Sequence, residues 1–221
     1  MEFASVIQKI AIYAIPLIFA ITLHEAAHAF AARYFGDSTA YMMGRMTLNP
    51  IKHIDPIWTI AVPLLLVLTS SPFIFGAAKP VPVNFGALRN PKRDSIWVAL
   101  AGPAANLVMM IGWAIIGKIA ILSGAQPNAA GPLEYIAIVA GAGIFVNALL
   151  MVFNMFPILP LDGGRVVAGL LPNKLAYSYS RLEPYGMFIL IALMLSGVFN
   201  SFLAPLVDIS MKAVYSLIGI S

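Results

Sequence analysis

The sequence predicts an α-helical integral membrane protein, a polytopic helix bundle with short membrane-associated β-strands near a functional site. Hydrophobic residues make up 61% of the 221 residues and charged residues only 10%, whereas about a quarter of the residues of a soluble domain are charged. Several apolar runs are long enough to cross roughly 30 Å of hydrocarbon as helices. No repeat or long polar stretch separates these runs, so we expect a single domain over residues 1–221.

The charge and the composition exclude several classes of protein and of site. The chain contains no cysteine, which excludes disulfides and thiolate metal ligands and leaves His, Asp and Glu as candidate ligands. The net charge of +4 is modest, and the basic residues lie in loops between apolar runs. Basic loops of this kind set the orientation of membrane proteins, whereas a nucleic-acid site would need the basic residues clustered in one stripe. We therefore expect no nucleic-acid partner. The N-terminus lacks a basic region and a cleavage site, so no removed signal peptide is expected.

The first apolar run predicts a spanning helix from about Phe3 to Tyr34. The pattern His24-Glu25-x-x-His28 lies in the last third of this helix. Basic residues follow the helix end, and basic loops usually face the cytoplasm. We therefore expect the pattern to lie within the membrane, nearer the cytoplasmic side.

Three shorter stretches follow this helix. Ser38 to Leu48 is too short to span, and its Thr, Tyr and Met residues around Gly44 predict a short strand pair. Ile57 to Phe75 is apolar but has basic residues on both sides, which favours an even number of crossings and hence a re-entrant hairpin. The prolines of Lys79 to Asn84 predict an extended backbone. This stretch is either a plain linker or an edge strand beside the site.

The second half of the sequence predicts further spanning helices. A helix starting at Asp94, which can cap it, is expected to run to about Leu122. The loop after it contains no Lys or Arg, so we expect it on the outer side of the membrane. Leu133 to Phe153 then crosses back to the cytoplasmic side. The last apolar block, Pro184 to Ile220, is broken near Asn200 and Pro205 and predicts two short helices that form a hairpin.

The two histidines are candidate metal ligands. Four residues of an α-helix turn about one full circle, so His24 and His28 lie on one face and can share a metal ion. Imidazoles suit zinc, and a catalytic zinc takes three protein ligands and keeps one position open. Glu25 can then act as general base on a water molecule. The alternative is that the three side chains only satisfy each other inside a bundle, but ionisable groups at membrane depth are costly unless they are functional.

Asp162 is the candidate third ligand. It follows a proline-broken segment, and Gly163 and Gly164 let the backbone approach closely. The returning helix delivers Asp162 to the cytoplasmic side, at the depth inferred for the histidines. Taken alone, Leu-Asp-Gly-Gly is more often a turn, but with His24 and His28 at matching depth a metal site with one zinc ion per chain is the better interpretation.

Five motifs stand in a fixed order between residues 22 and 165. They are His24-Glu25-Ala26-Ala27-His28, Asn49-Pro50 with His53-Ile54-Asp55-Pro56, Lys79-Pro80-Val81-Pro82-Val83-Asn84, Gly102-Pro103-Ala104-Ala105-Asn106, and Asn154-x-x-Pro157-x-x-Pro160-x-Asp162-Gly163. With this set the sequence resembles the site-2 protease family of intramembrane zinc metalloproteases, in a short form without a PDZ domain. The resemblance implies that His24, His28 and Asp162 hold zinc. It further implies that Glu25 is the catalytic carboxylate and that Asn154 contacts the substrate backbone.

The resemblance implies an enzyme that hydrolyses peptide bonds within or near transmembrane segments of membrane proteins. We expect a multi-pass protein of a bacterial or archaeal cell membrane, with its active site towards the cytoplasm and a transmembrane protein or peptide as substrate in the lipid bilayer. Hydrolysis there needs a polar path for water, and His53, Asn106, Asn147 and Asn154 are candidates to line it or to stabilise the oxyanion. Interhelical hydrogen bonding is an equally good interpretation of Asn106 and Asn147, and His53 can instead be a solvated loop histidine.

Two other classes of function are alternatives. A metal transporter or channel could use His and Asp as transit ligands, but such proteins often carry internal repeats, and a glutamate beside the first ligand has no evident use in transport. A catalytically silent scaffold is less favoured because all four proposed chemical residues are present. The sequence does not indicate the substrate, the cleavage position or the oligomeric state.

Overall fold

The computed structural model describes residues 2–61, 65, 79–126 and 129–219, and helices dominate this part of the chain. The α-helices described are α1 (Glu2–Tyr34), α2 (Thr39–Met42), α3 (Pro91–Leu122), α4 (Pro132–Asn154), α5 (Asp162–Leu170), α6 (Asn173–Ser180), α7 (Glu183–Leu195) and α8 (Val198–Ile218). Short 3₁₀ turns occupy Pro50–His53 and Phe85–Ala87, and one π turn occupies Pro56–Ala61.

Four of the described helices are long and apolar enough to cross a membrane, namely residues 7–34 of α1 and the helices α3, α4 and α8. Large apolar side chains are exposed along them, among them Ile10, Ile119, Ile138 and Phe202. Soluble monomers rarely expose so much contiguous apolar surface. The predicted helical membrane protein is thus confirmed at this level, and α1, α3 and α4 end within one residue of the predicted positions.

The centre of the bundle is built where α1, α3 and α4 pack against one another and α8 packs on α4. Small residues make this close packing possible: Ala20, Ala29 and Ala32 of α1 are fully buried. Along α3, α4 and α8, side chains such as Met110, Ile144 and Val207 form a common apolar core. The functional side chains lie at one end of this core.

The predicted short β-strands are not found among the described residues. Ser38 to Leu48 contains the single-turn helix α2 instead of a strand pair. The Asp37 carboxylate accepts hydrogen bonds from the Thr39 N–H at 2.9 Å and from the Thr39 hydroxyl at 2.5 Å. This local side-chain bonding starts a helical turn and competes with strand formation. Lys79 to Asn84 is neither helix nor strand, so the predicted edge strand is not found there, although the segment does lie beside the site.

Two further predictions about element boundaries have different outcomes. Helix α3 begins at Pro91, before Asp94, whose carboxylate instead accepts a hydrogen bond from the Asn90 N–H at 2.7 Å. The last apolar block does form two helices, but the break lies at Gly197 with φ of 73°, and Pro205 lies inside α8. A left-handed glycine ends a helix, whereas membrane helices tolerate an internal proline.

The re-entrant hairpin predicted over Ile57 to Phe75 lies almost entirely outside the described residues. Within it, residues 57–61 belong to the π turn that starts at Pro56.

Candidate metal centre

Three side chains from distant parts of the chain meet at one end of the bundle. The Nε2 atoms of His24 and His28 on α1 are 3.1 Å apart, and each lies 3.3 Å from Oδ2 of Asp162, the first residue of α5. Among the described residues this is the group of His, Asp and Glu side chains that could hold a metal ion. The structure thus brings the three predicted ligands together.

The triangle has the size that zinc requires. In a tetrahedral site with bonds of about 2.0 Å, neighbouring ligand atoms are about 3.3 Å apart, which matches the three distances between His24, His28 and Asp162. Two imidazoles and a carboxylate are also a ligand set found in catalytic zinc sites.

The hydrogen bonds made by the Nδ1 atoms of His24 and His28 determine the tautomer of each ring. His24 Nδ1–H donates to Oδ1 of Asn106 at 2.6 Å, and His28 Nδ1–H donates to the Val98 carbonyl at 2.7 Å. Both partners are oxygens that only accept, so a neutral ring carries its proton on Nδ1 and directs the Nε2 lone pair inwards. Such partners fix the tautomer and the orientation of metal-binding histidines.

The buried carboxylate of Asp162 also indicates that these residues fit a cation. When both rings are neutral, its buried Oδ2 has no hydrogen-bond donor among the described residues. A buried acceptor without a donor is rare and needs an explanation, and two lone pairs facing a carboxylate oxygen at 3.3 Å repel one another unless a positive charge lies between them. The donor set therefore fits a metal ion.

Glycines let the backbone come close enough to form the centre. A Cβ atom on Gly102 of α3 would overlap Nε2 of His28 and lie 2.6 Å from Cε1 of His24. A Cβ atom on Gly164 would lie 2.5 Å from the backbone of the preceding loop, at Ile158 and Leu159. The first glycine therefore lets α3 cross the histidines, and the second lets α5, which begins with Asp162, pack against the loop that precedes it.

Asn106 lies behind His24, bonded to its Nδ1, and is not among the residues that line the cavity described below. It is fully buried, and its Nδ2 donates to the Asn147 Oδ1 at 3.0 Å and to the Ala20 carbonyl at 3.3 Å. Asn147 in turn donates to the Gly143 carbonyl at 2.8 Å. Of the two interpretations of these asparagines, the structure agrees with interhelical hydrogen bonding, which here also orients His24.

Glu25 faces the same cavity as the three candidate ligands. Its Oε2 accepts a hydrogen bond from the Val81 N–H at 2.7 Å. The cavity has a volume of about 760 Å³. Besides Glu25 and the ligand triad, its lining includes the polar residues Asp55, Asn154 and Arg165 and the apolar residues Leu150, Phe153, Met187, Leu190 and Met194. An apolar chamber with a few convergent polar groups is typical of a binding or catalytic site.

The remaining predicted site residues differ in position. Asn154 lines the cavity at the end of α4, and its Nδ2 donates to the Leu150 carbonyl at 2.9 Å. His53 is 1% exposed, so it is not a solvated loop residue, and it does not belong to the cavity lining. Its ring bonds the Thr47 carbonyl at 2.9 Å, and its own carbonyl accepts from the Lys79 N–H at 2.9 Å.

The His53 carbonyl thereby anchors residues 79–84, which we call the strap. The Asn84 N–H at its other end donates to the Asp37 carboxylate at 2.7 Å. Sequence reasoning missed Asp37 and Arg45, which both bind the strap, because nothing in a single sequence pairs these residues with a segment some 40 positions away. The alternation of prolines around Val81 was the one signal that could have singled out its N–H.

Comparison with known proteins finds relatives that are named as zinc metalloproteases. It is 34% identical over 209 residues to "Putative zinc metalloprotease YwhC" of Bacillus subtilis, which covers 92% of this chain and 89% of that protein. It is 30% identical over 190 residues to "Putative zinc metalloprotease Rip2" of Mycolicibacterium smegmatis, covering 86% of this chain and 69% of the relative. The Rip2 protein of Mycobacterium tuberculosis H37Rv is 29% identical over 84% of this chain.

No protein-family model and no solved structure matches the chain. The extent of the similarity to the Bacillus protein, which runs nearly the length of both sequences, is enough to establish common descent. On this ground the chain belongs to the site-2 protease family.

Proposed function

We propose that this protein is an intramembrane zinc endopeptidase that hydrolyses peptide bonds within or near transmembrane segments of membrane proteins. The observation that carries the proposal is the meeting of His24, His28 and Asp162, spaced as zinc ligands, in a chamber that also contains the Glu25 carboxylate. The relatives' names, which specify zinc metalloproteases, support the metal and the reaction class.

In this proposal His24, His28 and Asp162 hold one zinc ion per chain through Nε2, Nε2 and a carboxylate oxygen. When bound, zinc supplies Lewis acidity, which polarises a carbonyl and acidifies water. Asn106 and the Val98 carbonyl keep the two rings in the tautomer that can bind the ion.

Glu25 moves the proton. Its Oε2 is held by the Val81 N–H, so Oε1 takes the proton of the attacking water and then delivers it to the leaving amine. Asn154, on the wall of the same chamber, contacts the backbone of the substrate near the bond that is cut. The apolar part of the lining, at Met187, Leu190 and Met194 of α7, suits the side chains of a transmembrane substrate.

The site is proposed to lie near the cytoplasmic face of the membrane. Basic residues occur in the last turn of α1, in the segment between α1 and α3 and in the first turn of α3, at the end of the bundle where His28 lies. Basic segments are retained in the cytoplasm. The basic residues are Arg33, Arg45, Lys52, Lys79, Arg89, Lys92 and Arg93.

Metal transport, the alternative, has no observation in its favour, since a fixed carboxylate beside the ligand triad serves proton transfer and not the passage of an ion.

The substitution Glu25→Gln tests the proposal directly. The amide cannot accept the water's proton, so cleavage of a labelled transmembrane peptide by the purified protein should fall by roughly 10²–10⁴-fold, the range of general-base catalysis. Bound zinc should stay at the wild-type stoichiometry, because Glu25 is not one of the ligands. Glu134→Gln is the matched control, since Glu134 lies in the first turn of α4 and bonds the Gln126 N–H. Wild-type cleavage by the Glu25 variant would refute the assignment.

A further inference from the structure

Arg45 is a buried cation without an acidic partner among the described residues. The residue is 9% exposed, and a guanidinium stays charged at any physiological pH. In the described part of the chain no carboxylate lies within ion-pairing distance of it, and its Nε is buried without a hydrogen-bond partner. Among the described residues its Nη2 donates only to backbone oxygens, those of Lys79 at 2.9 Å and Pro80 at 3.3 Å. Such a costly arrangement calls for a reason.

The turn before Arg45 directs it to the strap. Gly44 has φ of 62°, a left-handed conformation that side chains rarely adopt, although a Cβ atom there would meet nothing within 4 Å. The glycine is therefore needed for its backbone conformation and not for space. The Arg45 N–H then closes α2 by donating to the Ala40 carbonyl at 2.8 Å.

A single peptide group connects Arg45 to Glu25. The Pro80 carbonyl, which accepts from Arg45, and the Val81 N–H, which donates to Glu25 at 2.7 Å, belong to the same peptide unit. Its dipole, about 3.5 D, has its negative end at the guanidinium and its positive end at the carboxylate. Hydrogen bonds in such a chain polarise and strengthen one another, and 2.7 Å is the length of a charge-assisted bond.

The strap sequence leaves one choice of donor at this point. Pro80 and Pro82 have no N–H, so Val81 carries the only backbone donor between Lys79 and Val83. Both ends of the strap are fixed, because the Lys79 N–H is bonded to the His53 carbonyl and the Asn84 N–H to Asp37. The register of the strap over Glu25 is thereby set.

We propose that Arg45 is a positioning residue for Glu25 and acts through the Pro80–Val81 peptide unit. Arg45 holds the strap carbonyls so that the Val81 N–H binds Oε2 of Glu25 and leaves Oε1 directed at the reacting groups. The catalytic part of this inference rests on the proposed function, whereas the hydrogen-bonded chain from Arg45 to Glu25 does not.

Amide hydrogen exchange on the metal-free protein tests the chain of bonds without reference to activity. A peptide covering the strap has few exchanging amides because two of its residues are proline, so the Val81 amide is resolved readily. Its exchange should be at least tenfold faster in Arg45→Met and in Glu25→Ala than in the wild type. It should be unchanged in Arg93→Met, which removes an exposed arginine. Wild-type exchange in Arg45→Met would overturn the proposal.

Kinetics on the zinc-loaded protein test the positioning role. In Arg45→Met we expect kcat to fall roughly 10–100-fold, the scale of a misplacement of about 1 Å, with KM and zinc content near the wild-type values. Arg45→Lys keeps a cationic donor and should recover part of kcat. An unchanged kcat in Arg45→Met would overturn the role even if exchange is faster. If the wild type binds zinc but cleaves no transmembrane peptide, the proposed function fails while the exchange result still decides the bond chain.

A substitution at Val81 removes the hydrogen bond to Glu25 without changing Arg45, and it tests the proposal if Arg45→Met does not fold. Val81→Pro removes the donor and keeps Arg45, whereas Val81→Ala keeps the donor and removes most of the side chain. The proline variant should lose kcat to the extent of Arg45→Met, and the alanine variant should not. The double variant Arg45→Met/Val81→Pro should lose no more than either single variant, because both delete one interaction. If the two losses in kcat multiply in the double variant, Arg45 and Val81 act independently, and the proposed role of Arg45 is overturned.

Discussion

A methyl group on Gly102 should disable the metal centre. In Gly102→Ala the new Cβ would overlap Nε2 of His28 and lie 2.7 Å from Nε2 of His24, where an ordinary contact is at least 3.4 Å. Neither ring can move freely, because His24 is bonded to Asn106 at 2.6 Å and His28 to Val98 at 2.7 Å on the far side. Either the helices separate or the rings leave their hydrogen bonds.

The size of the effect follows from these distances. The His24 ring must move by about 0.7 Å to turn a 2.7 Å contact into one of 3.4 Å, whereas zinc–ligand distances vary by only about 0.2 Å. Loss of an outer-shell partner alone costs about 10–100-fold in metal affinity, and here two ligands are displaced. We therefore expect zinc affinity to fall by at least about 100-fold, and cleavage to fall with it.

The measurement is a competition titration with a chromogenic zinc chelator in detergent, together with cleavage of a labelled transmembrane peptide. Gly112→Ala is the matched control, since it lies on the same helix and its Cβ would meet nothing within 4 Å. As alanine favours helix by about 1 kcal/mol over glycine, the control should be at least as stable as the wild type. Equal zinc affinity in the two variants would refute the steric reasoning.

Two further predictions concern the ligands and their support. Asp162→Ala should abolish stoichiometric zinc binding, measured by elemental analysis, while Asp208→Ala, which breaks only an exposed ion pair with Lys212, should leave it unchanged; equal zinc content would assign the third ligand elsewhere. Asn106→Ala should weaken zinc binding about 10–100-fold by freeing the His24 ring, and Asn106→Asp, which restores an acceptor for Nδ1–H, should bind zinc more tightly than Asn106→Ala in the same titration. The reverse order would show that the buried amide network, and not the bond to His24, supports the site.

The spanning helices could be predicted because the bilayer fixes both length and polarity. An apolar run of more than 20 residues has few alternatives to a helix, so the ends at Tyr34 and Leu122 were predicted correctly. Short segments lack that constraint. In place of the predicted strand pair, the structure has a helical turn that Asp37 starts by accepting hydrogen bonds from Thr39. A single side-chain bond of this kind leaves no periodic pattern of apolar residues in the sequence, so it could not be predicted.

The candidate site was predictable as far as local spacing reaches. One turn of helix places His24 over His28, and topology brought Asp162 to the same depth. The partners of those ligands were not predictable, because they depend on how α3 and α4 cross α1. Asn106 suited a water path and an interhelical bond equally well in the sequence, and only the crossing decides between the two. The bond from Val81 to Glu25 likewise depends on a fold that brings residues 56 positions apart into contact.

The two histidines differ in what mutation can do to their supports. His24 depends on a side chain, that of Asn106, so a single codon change can weaken, strengthen or remove its acceptor. His28 depends on the main-chain oxygen of Val98, which every amino acid at that position would supply. Inherited variation can therefore adjust the strength of zinc binding through position 106 while the other half of the centre stays the same. A laboratory seeking graded metal affinity should accordingly diversify position 106 and expect little from position 98 beyond packing.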